Sequence, residues 1–296
     1  MIEGSVHHLD ILADLAGAAE TARSYGMACG FVCYEPRCVN EAIFKKYPQL
    51  RGSRTDHPGR SLQPRYALDI ANPLVLEHYA EMLTRLMQTV PDLRYLVFWT
   101  GDSGSGLPFM DGLYFGPNGS WLARSKPLEQ MAAEFSGTLA EAGRKINPRF
   151  EVLMEIGWEY KEEEWKKIIP ALPEGVTVTH PLTGDAAGIL CGTDPSSGAG
   201  AYLPFDRAHG KEPCGECVIS SWWDLEPVFG IQFPWLVREK FASLETLGLK
   251  SFFTRGGIYS PPQCPYSVNH DVYAELIRVR EIPDFHQFLF SRALGW

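Results

Sequence analysis

Helix-like and strand-like segments alternate along the whole chain, and this alternation constrains the fold more than any other feature of the sequence. The helical segments carry apolar residues at helical spacing, whereas the strand-like segments are continuous apolar runs without a polar–apolar alternation. Strands of that kind are buried on both faces, as in a parallel sheet covered by helices. The repeated βα unit therefore predicts an α/β fold, either a (β/α)8 barrel or an open doubly wound sheet.

The segment that begins at Asn72 shows one such unit clearly. Asn72 is a favourable N-cap residue, and Pro73 is tolerated at the first helical position because its missing N–H has no helical partner. Pro91 ends the helix, and an apolar run follows in the stretch YLVFWTGDSGSGLPF, residues 95–109. The pattern predicts a buried strand that delivers Asp102 into a loop of small residues.

Two features favour the barrel over the open sheet. No GxGxxG or GxxxxGK[ST] phosphate loop follows a strand, so the usual nucleotide-binding signature of an open sheet is missing. Polar and aromatic residues instead fall at the carboxyl ends of predicted strands, the face on which a (β/α)8 enzyme builds its active site. These residues are Tyr34, Glu35, Trp99, Asp102, Glu155, Trp158, His180, Trp222, Trp223, Asp224 and Arg255.

The number of strands decides whether the barrel is complete. About six strands are clear in the sequence, whereas a closed barrel needs eight. Either two further strands lie in irregular segments, for instance RYALDI at 65–70 and GAYLPFD at 200–206, or the barrel is partial. We expect a single catalytic domain over 1–296, with long loops at 51–65, 102–127 and 183–212.

Composition excludes several classes of partner. The 36 acidic residues outnumber the 27 basic ones, for a net charge of −9, and no basic run is present to meet a nucleic acid. No apolar stretch is long enough to span a membrane, and the first ten residues lack the pattern of a signal peptide. We therefore expect a cytoplasmic protein, unless the true N-terminus is missing.

The seven cysteines are spread along the chain in a way that suits reduced thiols better than disulfides. Only Cys214 and Cys217, in PCGECV, have the spacing of a metal or redox motif. One CxxC without a second pair or nearby histidines is weak evidence for zinc, and a redox motif should open a helix after a strand. We expect structural thiols, no metal and no cofactor.

Asp102 and Glu155 are the strongest candidates for chemistry, because they follow consecutive predicted strands and their carboxyl groups could converge. Glycoside hydrolysis needs two carboxylic groups, one to protonate the leaving oxygen and one to attack the anomeric carbon or activate water. The alternative is structural: Asp102 turns its loop through its side chain, and Glu155 pairs with a neighbouring base.

Further residues fit a sugar-binding pocket. Aromatic rings at several strand ends could stack on sugar rings; packing in the core explains any single tryptophan better, but not all of them together. His180 could bind a hydroxyl group or make a structural hydrogen bond. Arg255 could clamp a carboxylate such as that of a uronate, or pair with Asp224 or Glu226. The expected substrate-binding residues are Tyr34, Glu35, Trp99, Trp158, His180, Trp222, Trp223, Asp224 and Arg255.

The stretch from Tyr66 to Gly106, with LMEIGWEY and SSWWDLEP downstream, resembles the catalytic barrels of glycoside hydrolases in the neighbourhood of β-N-acetylhexosaminidases and α-glucuronidases. The resemblance implies a (β/α)8 barrel, no metal, and a carboxylic general acid at Asp102. Hexosaminidases place an Asp-Glu pair at this strand end, whereas Ser103 follows Asp102 here. Glu155 therefore becomes the expected partner acid.

The sequence thus predicts a metal-independent glycoside hydrolase with Asp102 as general acid/base, Glu155 as second carboxylate and a carbohydrate as substrate. The competing hypothesis is a non-catalytic carbohydrate-binding barrel or an inactive fragment of a larger glycosidase. A metal-dependent hydrolase or isomerase is disfavoured because no HxH or HExxH pair occurs. A compact barrel completed by a homodimer is the alternative to a longer chain.

Overall fold

The computed structural model describes residues 6–56, 63–100, 104–108, 119–156, 160–181, 199–218, 234–255 and 268–294. The chain divides into two compact units, of which the first ends at Val178 and the second begins at Thr179. Each unit is built from helices that pack on parallel strands, as the alternating sequence pattern predicts.

The first unit holds most of the helices and strands. Its helices are α1 (Val6–Ser24), α2 (Glu41–Lys46), α3 (Pro73–Thr89), α4 (Trp121–Arg124), α5 (Leu128–Arg144) and α6 (Glu162–Ala171). Its strands are β1 (Cys29–Tyr34), β2 (Arg51–Arg54), β3 (Tyr66–Leu68), β4 (Leu93–Trp99) and β5 (Glu151–Glu155).

Strand β6 (Val176–Pro181) ends the first unit and opens the second. The second unit then continues with α7 (Ala199–Ala208), β7 (Cys214–Val218), α8 (Pro234–Thr246), β8 (Ser251–Arg255), α9 (Val268–Val279) and α10 (Phe285–Leu294).

The main sheet has six strands in the order β1-β4-β5-β6-β7-β8. The pairs β1–β4, β4–β5, β6–β7 and β7–β8 are parallel. Each main-sheet strand lies beside the one that precedes it in the chain, whereas a doubly wound sheet reverses its order part-way. The fold is therefore α/β with the strand order of a partial (β/α) barrel, which confirms the prediction of about six βα units.

Neither of the two segments proposed as further barrel strands joins the main sheet. Within RYALDI, β3 pairs antiparallel with β2 in a separate two-stranded sheet. GAYLPFD lies inside helix α7. Helical spacing places Tyr202 and Asp206 one turn apart, and both contact His180. The expected loop at 51–65 likewise contains β2, and those at 102–127 and 183–212 contain α4 and α7.

Helix α3 begins and ends where its capping residue and its flanking prolines predict. The Asn72 side chain accepts a hydrogen bond from the Leu74 N–H, and Pro73 occupies the first position of the helix. The helix ends at Thr89, two residues before Pro91. These caps fix where the helix begins and ends, and therefore where β4 can start.

Each unit has its own apolar core. In the first, the Phe135 ring of α5 lies edge-on to Phe98 of β4 and to Tyr79 of α3, with ring centroids 5.6 and 5.0 Å apart. In the second, α8, α9 and α10 pack around Phe241, Leu276 and further buried apolar side chains. Within the described ranges, no helix combines the length and the apolar character needed to cross a membrane.

Candidate active site

The face that each strand presents follows from the packing of Phe98. The Phe98 ring contacts Phe135 of α5. Successive side chains of a strand alternate between the two faces of the sheet, so the next residue, Trp99, points to the face opposite α5. Tyr34 is the register partner of Trp99 and shares its face. Since Phe98 pairs with Met154, Glu155 continues the same register beside Trp99. Three predicted site residues therefore lie on one face, at the carboxyl ends of β1, β4 and β5.

The Tyr34 and Trp99 rings form the apolar part of this face. Their centroids are 5.2 Å apart, and the rings are tilted by 31°. Tyr34 is partly exposed, whereas Trp99 is buried at 2% exposure. Glu155 is also buried, at 4% exposure, and makes further interactions of its own. The arrangement places an aromatic platform next to a carboxylate, which is what binding and cleaving a sugar would need.

Asp102, the expected general acid, lies outside the described residues, together with Gly101 and Ser103. The chain on both sides of it is held by hydrogen bonds. Thr100 is fully buried, and the Ser105 hydroxyl donates to the Trp99 carbonyl at 3.4 Å. The Gly104 carbonyl accepts from the Cys38 N–H at 2.7 Å. Asp102 as general acid stays a prediction.

Glu35 directs its carboxylate toward helix α3. Its Oε2 accepts hydrogen bonds from the Tyr79 hydroxyl and from the Arg37 N–H, both at 2.8 Å. Burial raises the pKa of Glu35 above its usual value of 4.5, although both hydrogen bonds and the Arg37 charge act in the opposite direction. Burial, followed by the nearby Glu35 charge, also holds the pKa of Tyr79 well above 10.0. That Glu35 binds substrate stays a prediction.

His180 directs its ring toward helix α7. Its Nε2 lies 2.7 Å from Asp206 Oδ2, and its ring stacks on Tyr202 with centroids 4.8 Å apart. Both His180 and Asp206 are buried, at 1% and 0% exposure. The contacts join the end of β6 to α7, and a sugar contact of His180 likewise stays a prediction.

Of the remaining expected substrate-binding residues, only Arg255 is among the described residues. Arg255 is the last residue of β8, in register with Val218. The expected substrate-binding residues Trp158, Trp222, Trp223 and Asp224 lie outside the described residues.

The CxxC motif lies inside β7 rather than at the start of a helix. Cys214 is a buried free thiol, and Cys217 follows three positions later on the same strand. Over the described part of the chain, no group of three or more His, Cys, Asp or Glu could hold a metal.

Two polar residues of this region escaped the sequence analysis. Tyr79 reads as one apolar residue on the inner stripe of α3, and Asp206 lies in a segment without a helical pattern. Each is recognised only by its partner, Glu35 or His180, which lies 44 or 26 positions away in the chain. No local signal could have identified either residue.

Comparison with known proteins shows the fold. No family model and no curated protein matches the sequence. The catalytic domain of a β-amylase from Paenibacillus polymyxa aligns over 90% of this chain and 85% of its own, with a TM-score of 0.54 and 8% identity. A GH31 dextranase from Flavobacterium johnsoniae complexed with glucose aligns over 89% of this chain, with a TM-score of 0.50 and 11% identity. This chain spans only 32% of the dextranase.

At these identities the similarity concerns the backbone and not the site residues. It agrees with the parallel sheet, the consecutive strand order and the helices between the strands. The relation to hexosaminidases and α-glucuronidases stays a prediction. The chain thus has the α/β fold of the catalytic barrels of glycoside hydrolases, as the sequence resemblance implied.

Proposed function

We propose that the chain is a glycoside hydrolase in which Asp102 is the general acid/base and Glu155 the second carboxylate. The observation that carries the proposal is the shared sheet face of Tyr34, Trp99 and Glu155 at the carboxyl ends of three neighbouring strands. Barrel enzymes assemble their active sites at this end of the sheet. The proteins with similar folds include a β-amylase and a dextranase complexed with glucose, which supports a carbohydrate as substrate.

The proposed chemistry follows from the two carboxylic groups. Asp102 protonates the glycosidic oxygen as the bond to the anomeric carbon breaks, and Glu155 either attacks that carbon or takes a proton from water. Tyr34 is partly exposed and offers a ring face on which the sugar stacks, and the buried Trp99 supports the Tyr34 ring from beside it. The separation of the two carboxyl groups decides between retention, at about 5 Å, and inversion, at roughly 6.5 to 9.5 Å.

The test is hydrolysis of a panel of aryl glycosides that includes uronides and N-acetylhexosaminides. We expect Asp102→Asn and Glu155→Gln each to lower kcat by about 100-fold or more on whichever glycoside the wild type cleaves. Asp92→Asn and Glu174→Gln are matched controls, because these exposed residues pair only with Arg23 and Arg144 in the described structure. Unchanged turnover in both site variants would overturn the assignment.

The same panel separates the alternatives. Saturable sugar binding without turnover of any glycoside would favour a carbohydrate-binding barrel or an inactive fragment. The proposal also includes metal independence, so treatment with a chelator should leave the turnover unchanged. A cytoplasmic location and a homodimer stay predictions.

A further inference from the structure

The segment that follows β1, residues 35–39, is hydrogen-bonded to three other parts of the first unit. It begins where the Glu35 N–H donates to the Trp99 carbonyl at 3.1 Å, which extends the β1–β4 ladder beyond the strands. On one side it meets residues 104–106, and on the other the Val39 N–H donates to the Tyr66 carbonyl of β3 at 3.0 Å. The segment therefore joins the main sheet, the β4 loop and the small sheet.

The contact with residues 104–106 consists of two backbone hydrogen bonds, which together make an antiparallel bridge. The Cys38 N–H donates to the Gly104 carbonyl at 2.7 Å, and the Gly106 N–H donates to the Pro36 carbonyl at 3.1 Å. Arg37 and Ser105 form an antiparallel bridge between them. These interactions fix Gly104–Gly106, and the hydrogen bond to the Trp99 carbonyl fixes the end of β4.

The Glu35 carboxylate is the side-chain anchor of this segment. It accepts the Arg37 N–H, which closes a turn over Pro36, and the Tyr79 hydroxyl, which connects the turn to helix α3. Tyr79 is itself 6% exposed and packed edge-on against Phe135, so it offers a rigid attachment point. Hydrogen bonds to an ionised carboxylate are about twice as strong as those between neutral groups.

We propose that Glu35 is a positioning residue: by binding Tyr79 and the Arg37 backbone it fixes residues 35–39, and through them it fixes Trp99 and Gly104–Gly106 on either side of Asp102. The inference rests on the proposed function for its catalytic consequence. Glu35 acts through the loop, and its carboxylate takes no part in the proton transfers of the reaction.

The test compares Glu35→Ala, Glu35→Gln and Tyr79→Phe with Tyr47→Phe, which removes the hydroxyl of an exposed tyrosine at the end of α2. We expect Glu35→Ala to lower kcat about tenfold or more with a smaller change in KM, because misplaced catalytic groups slow the reaction more than they weaken binding. Glu35→Gln should recover most of the loss, since its carbonyl oxygen accepts both hydrogen bonds. Tyr79→Phe should fall between the two, and Tyr47→Phe should match the wild type.

Amide hydrogen exchange tests the same proposal without reference to activity. Glu35→Ala should raise exchange at the Cys38 and Gly106 amides about tenfold, whereas amides in the middle of β4 should stay protected. Unchanged exchange at both amides in Glu35→Ala and Tyr79→Phe would overturn the proposal, as would an unchanged kcat in an active enzyme. If the wild type cleaves no glycoside, the proposed function fails, and the exchange measurement still decides whether Glu35 holds the loop.

Discussion

At the scale of single residues, Gly143 shows that a helical glycine can be required by its neighbours. A Cβ at this position in α5 would lie 2.2 Å from Cδ1 of the fully buried Phe150. Glycine to alanine normally stabilises a helix interior by about 1 kcal/mol. Here we expect Gly143→Ala to destabilise the protein by about 1–3 kcal/mol, because the ring has no room to move.

Gly17 is the matched control for this substitution. It lies in α1 with no atom within 4 Å of an added Cβ. Gly17→Ala should therefore stabilise the protein by up to about 1 kcal/mol. Thermal unfolding of the two variants measures both values, and equal shifts of the same sign would contradict the packing of Phe150 against α5.

Glu35 also makes stability depend on pH. Burial raises its pKa in the folded protein above the usual value, so the folded state binds this proton more tightly than the unfolded chain. The stabilisation is present below pH 4.5 and is lost as the pH rises through the raised pKa. We expect Glu35→Gln, which stays neutral, to melt at a higher temperature than the wild type at pH 7, with a difference that disappears in acid.

Thermal unfolding between pH 4 and pH 8 measures this difference, in buffers of constant ionic strength. Glu41→Gln is the control, since Glu41 is exposed and pairs with Arg51 across the surface. A wild type that gains stability over Glu35→Gln as the pH rises would show that the hydrogen bonds from Tyr79 and Arg37 outweigh the burial of the charge.

At the scale of elements, helix α9 is followed by a residue, Arg280, whose backbone conformation is unfavourable for any residue other than glycine. Arg280 follows the last residue of the helix with a φ of 65°, a left-handed conformation that glycine adopts at other helix ends in this chain. Its N–H donates to the Leu276 carbonyl, as a capping residue should. Arg280→Gly should stabilise the protein by about 1 kcal/mol, because the Cβ penalty disappears.

The reciprocal change at Gly26 provides the control. Gly26 follows α1 with a φ of 70°, and nothing lies within 4 Å of an added Cβ. Gly26→Ala should therefore destabilise the protein by about 1 kcal/mol through backbone strain alone. Chemical denaturation of both variants checks the pair, and a destabilised Arg280→Gly would mean that the arginine side chain makes a larger contribution than its strained backbone removes.

Elements with strong local signals were predictable from sequence, and elements defined by distant partners were not. Helix α3 has its N-cap at Asn72, a proline at its first position and Pro91 just beyond its end, so its limits follow from residues 72–91 alone. Helix α7 lies in a Gly-rich segment, and its buried face is defined by the contacts of Tyr202 and Asp206 with His180.

The candidate site divides in the same way. The strand ends predict that Tyr34, Trp99 and Glu155 lie at one edge of the sheet, because the carboxyl ends of parallel strands meet there. The direction of each side chain depends on the register and on which face the helices cover, and neither is encoded locally. The turn of Glu35 toward Tyr79 is an example, since it requires knowledge of where α3 packs.

At the scale of the whole molecule, ligand binding should stabilise the folded protein. A sugar that binds only the folded state, at a hundred times its Kd, stabilises by about 2.7 kcal/mol. For a chain of this size that corresponds to a rise in Tm of about 5 °C. We expect this rise for the Glu155→Gln variant with the glycoside that the wild type cleaves, because the variant binds the glycoside and cleaves it only slowly.

Tyr34→Ala in the same background should weaken the apparent affinity about tenfold through the loss of ring stacking. Tyr47→Ala, at the end of α2, is the control for the loss of a partly exposed tyrosine. Equal thermal shifts in the two tyrosine variants would place the sugar away from the face that Tyr34 and Trp99 share.

The consecutive strand order has a consequence for the synthesis of the chain. Every strand of the main sheet lies beside the main-sheet strand that precedes it in the chain, so each new strand finds its neighbour already synthesised. Each pairing closes a loop over a single crossover, and the widest of them joins register partners Cys29 and Leu93, 64 positions apart. Such a chain can assemble in the direction of translation, one strand and one helix at a time, with β4 docking on β1 first.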